Sequence, residues 1–451
     1  MLNAGFQIKK LVQLALPVLI AQVAQTMMGL IDTVMAGRVG PADMAAVAVG
    51  TSLWLPTILL FAGIIMAMPP LISHLHGANE EGKIRPLVHQ ALYLALGSSV
   101  LTMVILANAD LVLGRMDLEP ALLHLSNGYL NAVLWGAPAF LLFQVLRSFT
   151  EGLSWTLPSM IIGFVGLAIN IPANYIFIYG HFGMPAMGGA GCGVATALVY
   201  WGMLLAMVIY LAISGRFKSF ELFKGFKAID WNEQKAIVKL GLPVALAVFF
   251  EVTLFAFVAV MIAPLGSVVV AGHQVAANFS SIIFMLPLSI GIAVTIRVGY
   301  YLGRQQADIA AMVAKLGVWL GVAVALATAL LTVLGREWIA HLYTNDEAVF
   351  ALAVQLMFLC AFYQISDAIQ VVSAAALRGY KDTVSILWIA LVAFWGVGMT
   401  VGYVFGLTNW VVEPLGAHGF WIGFLSGLSF AALLLQLRLK QVQKRYVAVA
   451  A

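Results

Sequence analysis

The sequence predicts an all-α polytopic membrane protein with twelve transmembrane helices in two pseudo-symmetric six-helix lobes. Three observations predict this fold class. Of the 451 residues, 63% are hydrophobic, only 9% are charged, and long runs of low charge recur along the chain. Soluble proteins carry about a quarter charged residues, so the composition excludes an ordinary soluble domain.

Each predicted helix is a run of low charge that reaches the roughly 20 residues needed to cross a bilayer. In chain order, these runs are 11–35, 45–72, 87–108, 125–150, 158–179, 188–213, 236–263, 269–297, 311–334, 347–375, 383–405 and 417–438. Several contain prolines, among them Pro56, Pro172 and Pro287, which predict bends where backbone carbonyls lose their helical donor.

The Lys and Arg residues predict the orientation, because short basic loops resist translocation. Only Arg38, Arg115 and Arg336 fall on one side of the predicted helices, and all other Lys and Arg residues fall on the opposite side. We therefore expect a multi-pass protein of the cell inner membrane with both termini cytoplasmic. The same bias explains the net charge of +4 and favours contact with anionic membrane lipid, and it gives no reason to propose nucleic acid.

The chain divides at its longest basic stretch. We predict an N-terminal six-helix lobe at 1–213, a cytoplasmic linker at 214–235 and a C-terminal six-helix lobe at 236–451. An internal repeat supports this division, because LALPVLIAQVAQ aligns with LGLPVALAVFFE. Two shorter pairs follow: SHLHGANE with YLGRQQAD, in which Gly77 meets Gly303 at the same offset, and TEGLSWT with LRGYKDT one residue out of register. Two such lobes share one orientation, and a cleft between them is the expected place for a substrate.

Three carboxylates lie inside predicted membrane helices: Asp32 in helix 1, Glu251 in helix 7 and Asp367 in helix 10. None has a Lys or Arg within two turns inside its own predicted run, and Arg38 lies just beyond the end of the first run. An unpaired carboxylate in hydrocarbon costs several kcal/mol, so it must face the bundle interior and meet a cation, a proton or a polar substrate. The acids therefore predict an ion-coupled membrane transporter.

Helix 10 carries the most specific arrangement. Tyr363 and Asp367 are spaced i, i+4, and Gln370 follows three residues later, so all three lie along one helix face. Glu251 could complete a set of hard oxygen ligands. Two carboxylates with neutral oxygens suit an alkali cation or a proton, so Glu251 and Asp367 are predicted Na+ ligands.

Two further side chains of the C-terminal lobe, Gln274 and Asn278, are spaced i, i+4 on helix 8 and are candidate accessory polar groups. The competing interpretation is that the acids are protonated and simply form hydrogen bonds between helices.

A second polar site is predicted in the N-terminal lobe. Asp32 would be joined there by Asn170 and Asn174, spaced i, i+4 on helix 5, and by Thr196 on helix 6. An acid buried in an apolar lobe could exchange a proton against cation or substrate. The alternative is that the amides and the hydroxyl only hold helices together.

With these acids and the segments LPVLIAQVAQTMMGLIDTVMAGRVG, AGHQVAANFSSIIFMLPLSIG and LRGYKDT, the chain resembles a multidrug and toxic compound extrusion (MATE) transporter of the NorM branch. The resemblance covers essentially the whole chain. It implies that Glu251, Tyr363 and Asp367 occupy the branch's cation-site positions and that Asp32 is the helix 1 acid of proton, sodium or drug exchange. One departure is Asn174, where some prokaryotic relatives have an aspartate.

The resemblance implies export of organic, often cationic, compounds in exchange for Na+ and/or H+ by alternating access. The partners would be small-molecule drugs and membrane lipid. We expect a monomer that needs no cofactor beyond the coupling ion and catalyses no chemical reaction.

Two other functions compete with this interpretation. A lipid-linked oligosaccharide flippase of the same superfamily typically lines its cleft with basic residues, whereas the central segments here carry acids. An integral membrane transferase would need a polar catalytic loop, and the loops here are short, without a convincing Asp/Glu pair or His-Asp array.

Overall fold

A computed structural model describes residues 3–115 and 119–450, with side chains described up to residue 448. Within these ranges the regular secondary structure is entirely helical, and twelve helical segments are long and apolar enough to cross a membrane. In chain order, α1 to α12 are Ala4–Val39, Pro41–Gly77, Glu81–Leu113, Pro120–Gly152, Leu157–Tyr179, Gly189–Ile213, Trp231–Leu265, Ser267–Gly303, Ala307–Tyr343, Glu347–Gly379, Thr383–Leu407 and Ala417–Ala448. The predicted fold class is confirmed, and every predicted helix falls on one of these segments.

The described helices pack into two compact units. The N-terminal unit is Pro17–Ala245, and the C-terminal unit joins the chain up to Leu16 with the chain from Leu246 onward. Each unit has its own apolar core, with Phe143 and Phe149 in the first and Phe420 and Trp421 in the second. The unit boundaries fall beside Pro17 in α1 and close to Pro243 in α7, so each of these two helices contributes to both units.

Side chains of α3 form hydrogen bonds to the backbone of the segment between α6 and α7. His89 Nε2 donates to the Leu222 carbonyl at 2.7 Å, Gln90 donates to the Ala228 carbonyl at 2.8 Å, and the Tyr93 hydroxyl donates to the Lys227 carbonyl at 2.9 Å. These three side chains satisfy backbone acceptors that a loop cannot pair by itself. The segment therefore has a fixed path along the N-terminal unit.

The internal repeat recurs in backbone geometry. Asn79 after α2 and Gln305 after α8 have positive φ angles of 58° and 59°, and Ser154 after α4 and Lys381 after α10 have 60° and 62°. At each of these helix ends, the backbone N–H of the next residue donates to a carbonyl of the preceding helix. The N···O distance is 2.9 Å at both ends of the first pair and 3.0 Å at both ends of the second pair. Each helix thus ends in the same left-handed cap. The second pair lies one residue out of register with the first, as the sequence alignment predicted.

Glycines allow α11 and α12 to approach closely. The backbone of α12 at Gly419 and Gly423 lies against Gly406 and Gly402 of α11, and a Cβ at Gly419 would overlap the Gly406 backbone nitrogen. Next to this contact, Leu391–Gly398 of α11 is a π-helix. Wide turns of this kind are frequent at functional sites.

We expect Gly419→Ala to destabilise the protein by about 1–3 kcal/mol, because the added methyl group must push two helix backbones apart. The thermal unfolding temperature of the purified protein in detergent measures the effect. Gly97→Ala in α3 is the matched control, since the Cβ it would add meets open space beyond its own helix turn among the described residues. Equal unfolding temperatures for the two variants would contradict close packing at Gly419.

Candidate functional site

Asp32 of α1 accepts hydrogen bonds from two other helices of the N-terminal unit. Asn170 and Asn174 of α5 donate their side-chain amides to Oδ1 at 2.8 and 2.6 Å, and the Thr196 hydroxyl of α6 lies 3.2 Å from Oδ2. The i, i+4 spacing places both amides on one face of α5. The structure thus brings together the four residues that the sequence proposed for the N-terminal polar site.

Thr196 can form a hydrogen bond with Asp32 in either protonation state of the carboxyl group. Its hydroxyl also lies 3.0 Å from the Cys192 carbonyl, and it has only one proton to donate. With an ionised Asp32 the proton can point to Oδ2. With a protonated Asp32 the hydroxyl can accept from Oδ2 and donate to Cys192. The arrangement therefore accommodates a proton on Oδ2 without moving a helix.

Two amide oxygens beside Asp32 have no hydrogen-bond partner. Asn170 and Asn174 are almost fully buried, and the Oδ1 atom of each lacks a donor among the described residues. Buried hydrogen-bond acceptors are normally paired. Two unpaired oxygen atoms next to one carboxylate therefore indicate a binding site suited to a cation or a hydrogen-bond donor.

Asp367 of α10 lines a small cavity within the C-terminal unit. Its side chain is only 3% exposed, and its Oδ1 atom has no partner among the described residues. The cavity lies between α8, α9 and α10. Its other polar lining residues are Ser280, Thr328, Tyr363 and Gln364.

Glu251 of α7 lines a second cavity, formed with α11 and α12. Three aromatic residues, Phe255, Phe394 and Phe424, make up much of its wall. Phe394 belongs to the π-helix of α11. The adjacent Trp395 donates its indole N–H to the Phe250 carbonyl of α7 at 3.1 Å, which fixes this wide turn beside Glu251.

The two cavities adjoin each other through aromatic contacts. The Phe255 ring from the Glu251 cavity meets the Tyr363 ring edge-on, with centroids 6.5 Å apart. Glu251 and Asp367 are close enough to interact electrostatically. The residues proposed for one cation cluster therefore lie in neighbouring cavities, with Tyr363 and Asp367 in one and Glu251 in the other.

The three accessory polar residues lie elsewhere. Gln274 and Asn278 of α8 have exposed side chains, and Gln370 of α10 is buried with its Oε1 atom unpaired among the described residues. None of the three lines the Asp367 cavity. A shared helix face therefore did not place Gln370 beside Asp367.

The structure adds residues that the sequence reasoning missed. Gln364, Ser280 and Thr328 surround Asp367. Gln364 lies three residues before Asp367, so helical spacing could have suggested it. Arg378, which interacts electrostatically with Glu251, lies on α10, a different helix from Glu251. A search for basic partners along α7 alone could not find it.

The possible metal ligands around Asp32 and Asp367 are oxygen atoms. Among the residues the structure describes, no three His, Cys, Asp or Glu side chains form a group that could hold a metal ion. Each site instead combines one carboxylate with amide, hydroxyl or phenol groups. Such a set suits a monovalent alkali cation or a proton.

Comparison with known proteins gives consistent matches. A family model described as MatE matches residues 17–176 and 243–404. A protein named probable multidrug resistance protein NorM, from Shewanella oneidensis, is 60% identical over 99% of this chain and 97% of its own length. The multidrug resistance protein NorM of Vibrio cholerae is 52% identical over 96% of this chain and 95% of its own length.

A solved structure supports the fold. The crystal structure of the eukaryotic MATE transporter AtDTX14 superposes with a TM-score of 0.87 over 99% of both chains, at 17% sequence identity. At this identity the likeness establishes the fold alone.

Proposed function

Because this chain belongs to the MatE family, we propose that it exports structurally diverse organic, often cationic, compounds in exchange for Na+ and/or H+ by alternating access. It is a multi-pass membrane protein and a multidrug efflux transporter rather than an enzyme. The observation that carries the coupling proposal is the placement of one acid in each unit, half-buried Asp32 and buried Asp367, beside unpaired oxygen atoms.

Coupling requires that cation and drug favour different states of the protein. A ligand shifts an equilibrium only by its differential affinity for the two states. Saturating cation must then weaken drug binding by the same factor by which drug weakens cation binding. The acids provide the physical means, since adding a cation or proton changes the charge inside a low-dielectric unit and therefore the energy of each helix arrangement.

In the N-terminal unit we assign Asp32, Asn170, Asn174 and Thr196 to a proton- or substrate-linked site. In the C-terminal unit we assign Tyr363 and Asp367 to the cation site, with Glu251 acting on it from the adjoining cavity. No cofactor other than the coupling ion is proposed.

The proposed setting is the cell inner membrane, with both termini in the cytoplasm. The excess of Lys and Arg on one side of the helices supports this orientation. We further propose that the transporter acts as a monomer in contact with anionic lipid.

We expect dye export from proteoliposomes to require an ion gradient. The purified protein is reconstituted, and efflux of a fluorescent organic cation is followed under a sodium gradient alone and then under a proton gradient alone. Acceleration by either gradient identifies the coupling ion. Export at the same rate with neither gradient would instead indicate a facilitator.

A further inference from the structure

We propose that Gln364 and the backbone carbonyl of Ile283 are ligands of the coupling cation beside Asp367. The inference rests on the proposed cation-coupled function and extends the site to residues beyond the acids and the tyrosine. Three features of the Asp367 cavity support it.

The first feature is a pair of unpaired oxygen atoms in one cavity. Asp367 Oδ1 and Gln364 Oε1 are both buried without a hydrogen-bond partner among the described residues, and both residues line the cavity. Each side chain is only 3% exposed. Two unpaired acceptors on residues that line the same cavity indicate a shared donor or cation.

The second feature fixes which end of the Gln364 amide is unpaired. Its nitrogen donates to the Thr332 hydroxyl at 3.0 Å, and that hydroxyl donates its own proton to the Thr328 carbonyl at 2.7 Å. Rotating the amide by 180° would set two oxygens against each other, since the hydroxyl proton is already committed. Thr332 is therefore a positioning residue that leaves Oε1 as the free end.

The third feature is a helix carbonyl without its usual donor. Pro287 lies inside α8 and has no N–H, so it cannot bond to the carbonyl of Ile283 four residues earlier. Ile283 and Pro287 both line the Asp367 cavity. An oxygen freed in this way in a membrane helix needs another partner, and a cation can supply it.

Charge selects the ion. The cavity offers one carboxylate, and its other polar groups are amide, hydroxyl, phenol and carbonyl oxygens. One Na+ would neutralise the charge of Asp367. Glu251 in the adjoining cavity already has Arg378 as an electrostatic partner, so a divalent ion would leave a net positive charge in an apolar environment. Hard oxygen ligands also match an alkali cation better than a softer metal.

A proton alone would complete the site differently. A protonated Asp367 could donate to Gln364 Oε1, since the two residues are three apart on α10, and this bond would pair both side-chain oxygens. The Ile283 carbonyl would still lack its usual helical donor. The two occupants therefore predict different roles for Gln364, as a sodium ligand or as an acceptor that affects proton affinity only.

We test the assignment by titrating NaCl into the full-length protein in detergent by calorimetry, in a choline chloride background. Gln364→Met removes the oxygen and keeps the side-chain length, and it is expected to weaken Na+ binding roughly 10- to 100-fold. Thr332→Val frees the amide to rotate and is expected to weaken binding by a smaller factor. Gln441→Met, the same change at an exposed glutamine of α12, is the matched control and should leave binding unchanged.

Three outcomes decide between the possibilities. Wild-type sodium affinity in both Gln364→Met and Thr332→Val, with affinity lost in Asp367→Asn, overturns the role of Gln364 and leaves the proposed function intact. Retention of sodium binding and of transport under either gradient in Asp367→Asn would instead overturn the coupling site itself. If Gln364→Met does not fold, Thr332→Val decides, and wild-type affinity in that variant counts against the proposal.

Discussion

Replacing Asp367 by Asn is expected to abolish sodium-driven export and to weaken sodium binding about a thousandfold. The reason is that the Asp367 carboxylate is the only formal charge among the residues that line its cavity. At an effective dielectric constant of about 20, a unit charge at about 4 Å contributes roughly 4 kcal/mol, which is about a thousandfold in affinity. The amide keeps the shape of the side chain, so the protein should remain folded. Calorimetric titration and proteoliposome efflux under a sodium gradient measure the two effects.

Glu251→Gln provides the comparison. Glu251 lines the adjoining cavity, so its charge acts on the Asp367 site from a greater distance than a direct ligand would. We expect it to weaken sodium binding less than Asp367→Asn does. Wild-type transport in both variants would remove the C-terminal acids from the coupling mechanism.

Replacing Asp32 by Asn is expected to slow export and to remove its dependence on the proton gradient, because it abolishes a coupling between proton and drug binding that is usually about 5- to 150-fold in affinity. The variant resembles a permanently protonated Asp32. Its side-chain oxygen can still accept from Asn170 and Asn174, and its nitrogen can donate to Thr196 while that hydroxyl donates to the Cys192 carbonyl. The hydrogen-bond network is thus kept while the titrating group is lost. Efflux rates across a pH series measure the result.

Asp43→Asn is the matched control for Asp32→Asn. Asp43 lies in α2 of the same unit and accepts from the Gly189 backbone N–H at 2.7 Å, a bond that the amide oxygen of Asn can also accept. This variant should keep the wild-type pH profile. Sodium binding in the C-terminal unit should be unchanged in both variants. An equal loss of sodium binding in Asp32→Asn would contradict two separate sites.

The sequence predicted a site correctly where residues spaced along one helix face also met the residues predicted on other helices. Asn170 and Asn174 share a face of α5, and that face does meet Asp32 and Thr196. The same reasoning grouped Tyr363, Asp367 and Gln370 on one face of α10, yet Gln370 does not line the Asp367 cavity while Gln364 does. Spacing along one helix gives the direction of a side chain but not the helix it faces.

The sequence by itself determined the membrane class, the twelve helices, the internal repeat and the three acids inside it. The membrane class and the helices depend on the transfer energy of each residue between water and lipid, which is local and needs no knowledge of neighbours. The repeat and the acids are visible directly in the order of the residues. Only the tertiary structure decided that Glu251 and Asp367 occupy neighbouring cavities, that Arg378 acts on Glu251 and that Gln364 Oε1 is left unpaired. Pairing of polar groups depends on how each helix is rotated and packed against the others, and that rotation is fixed by contacts between residues far apart in the chain.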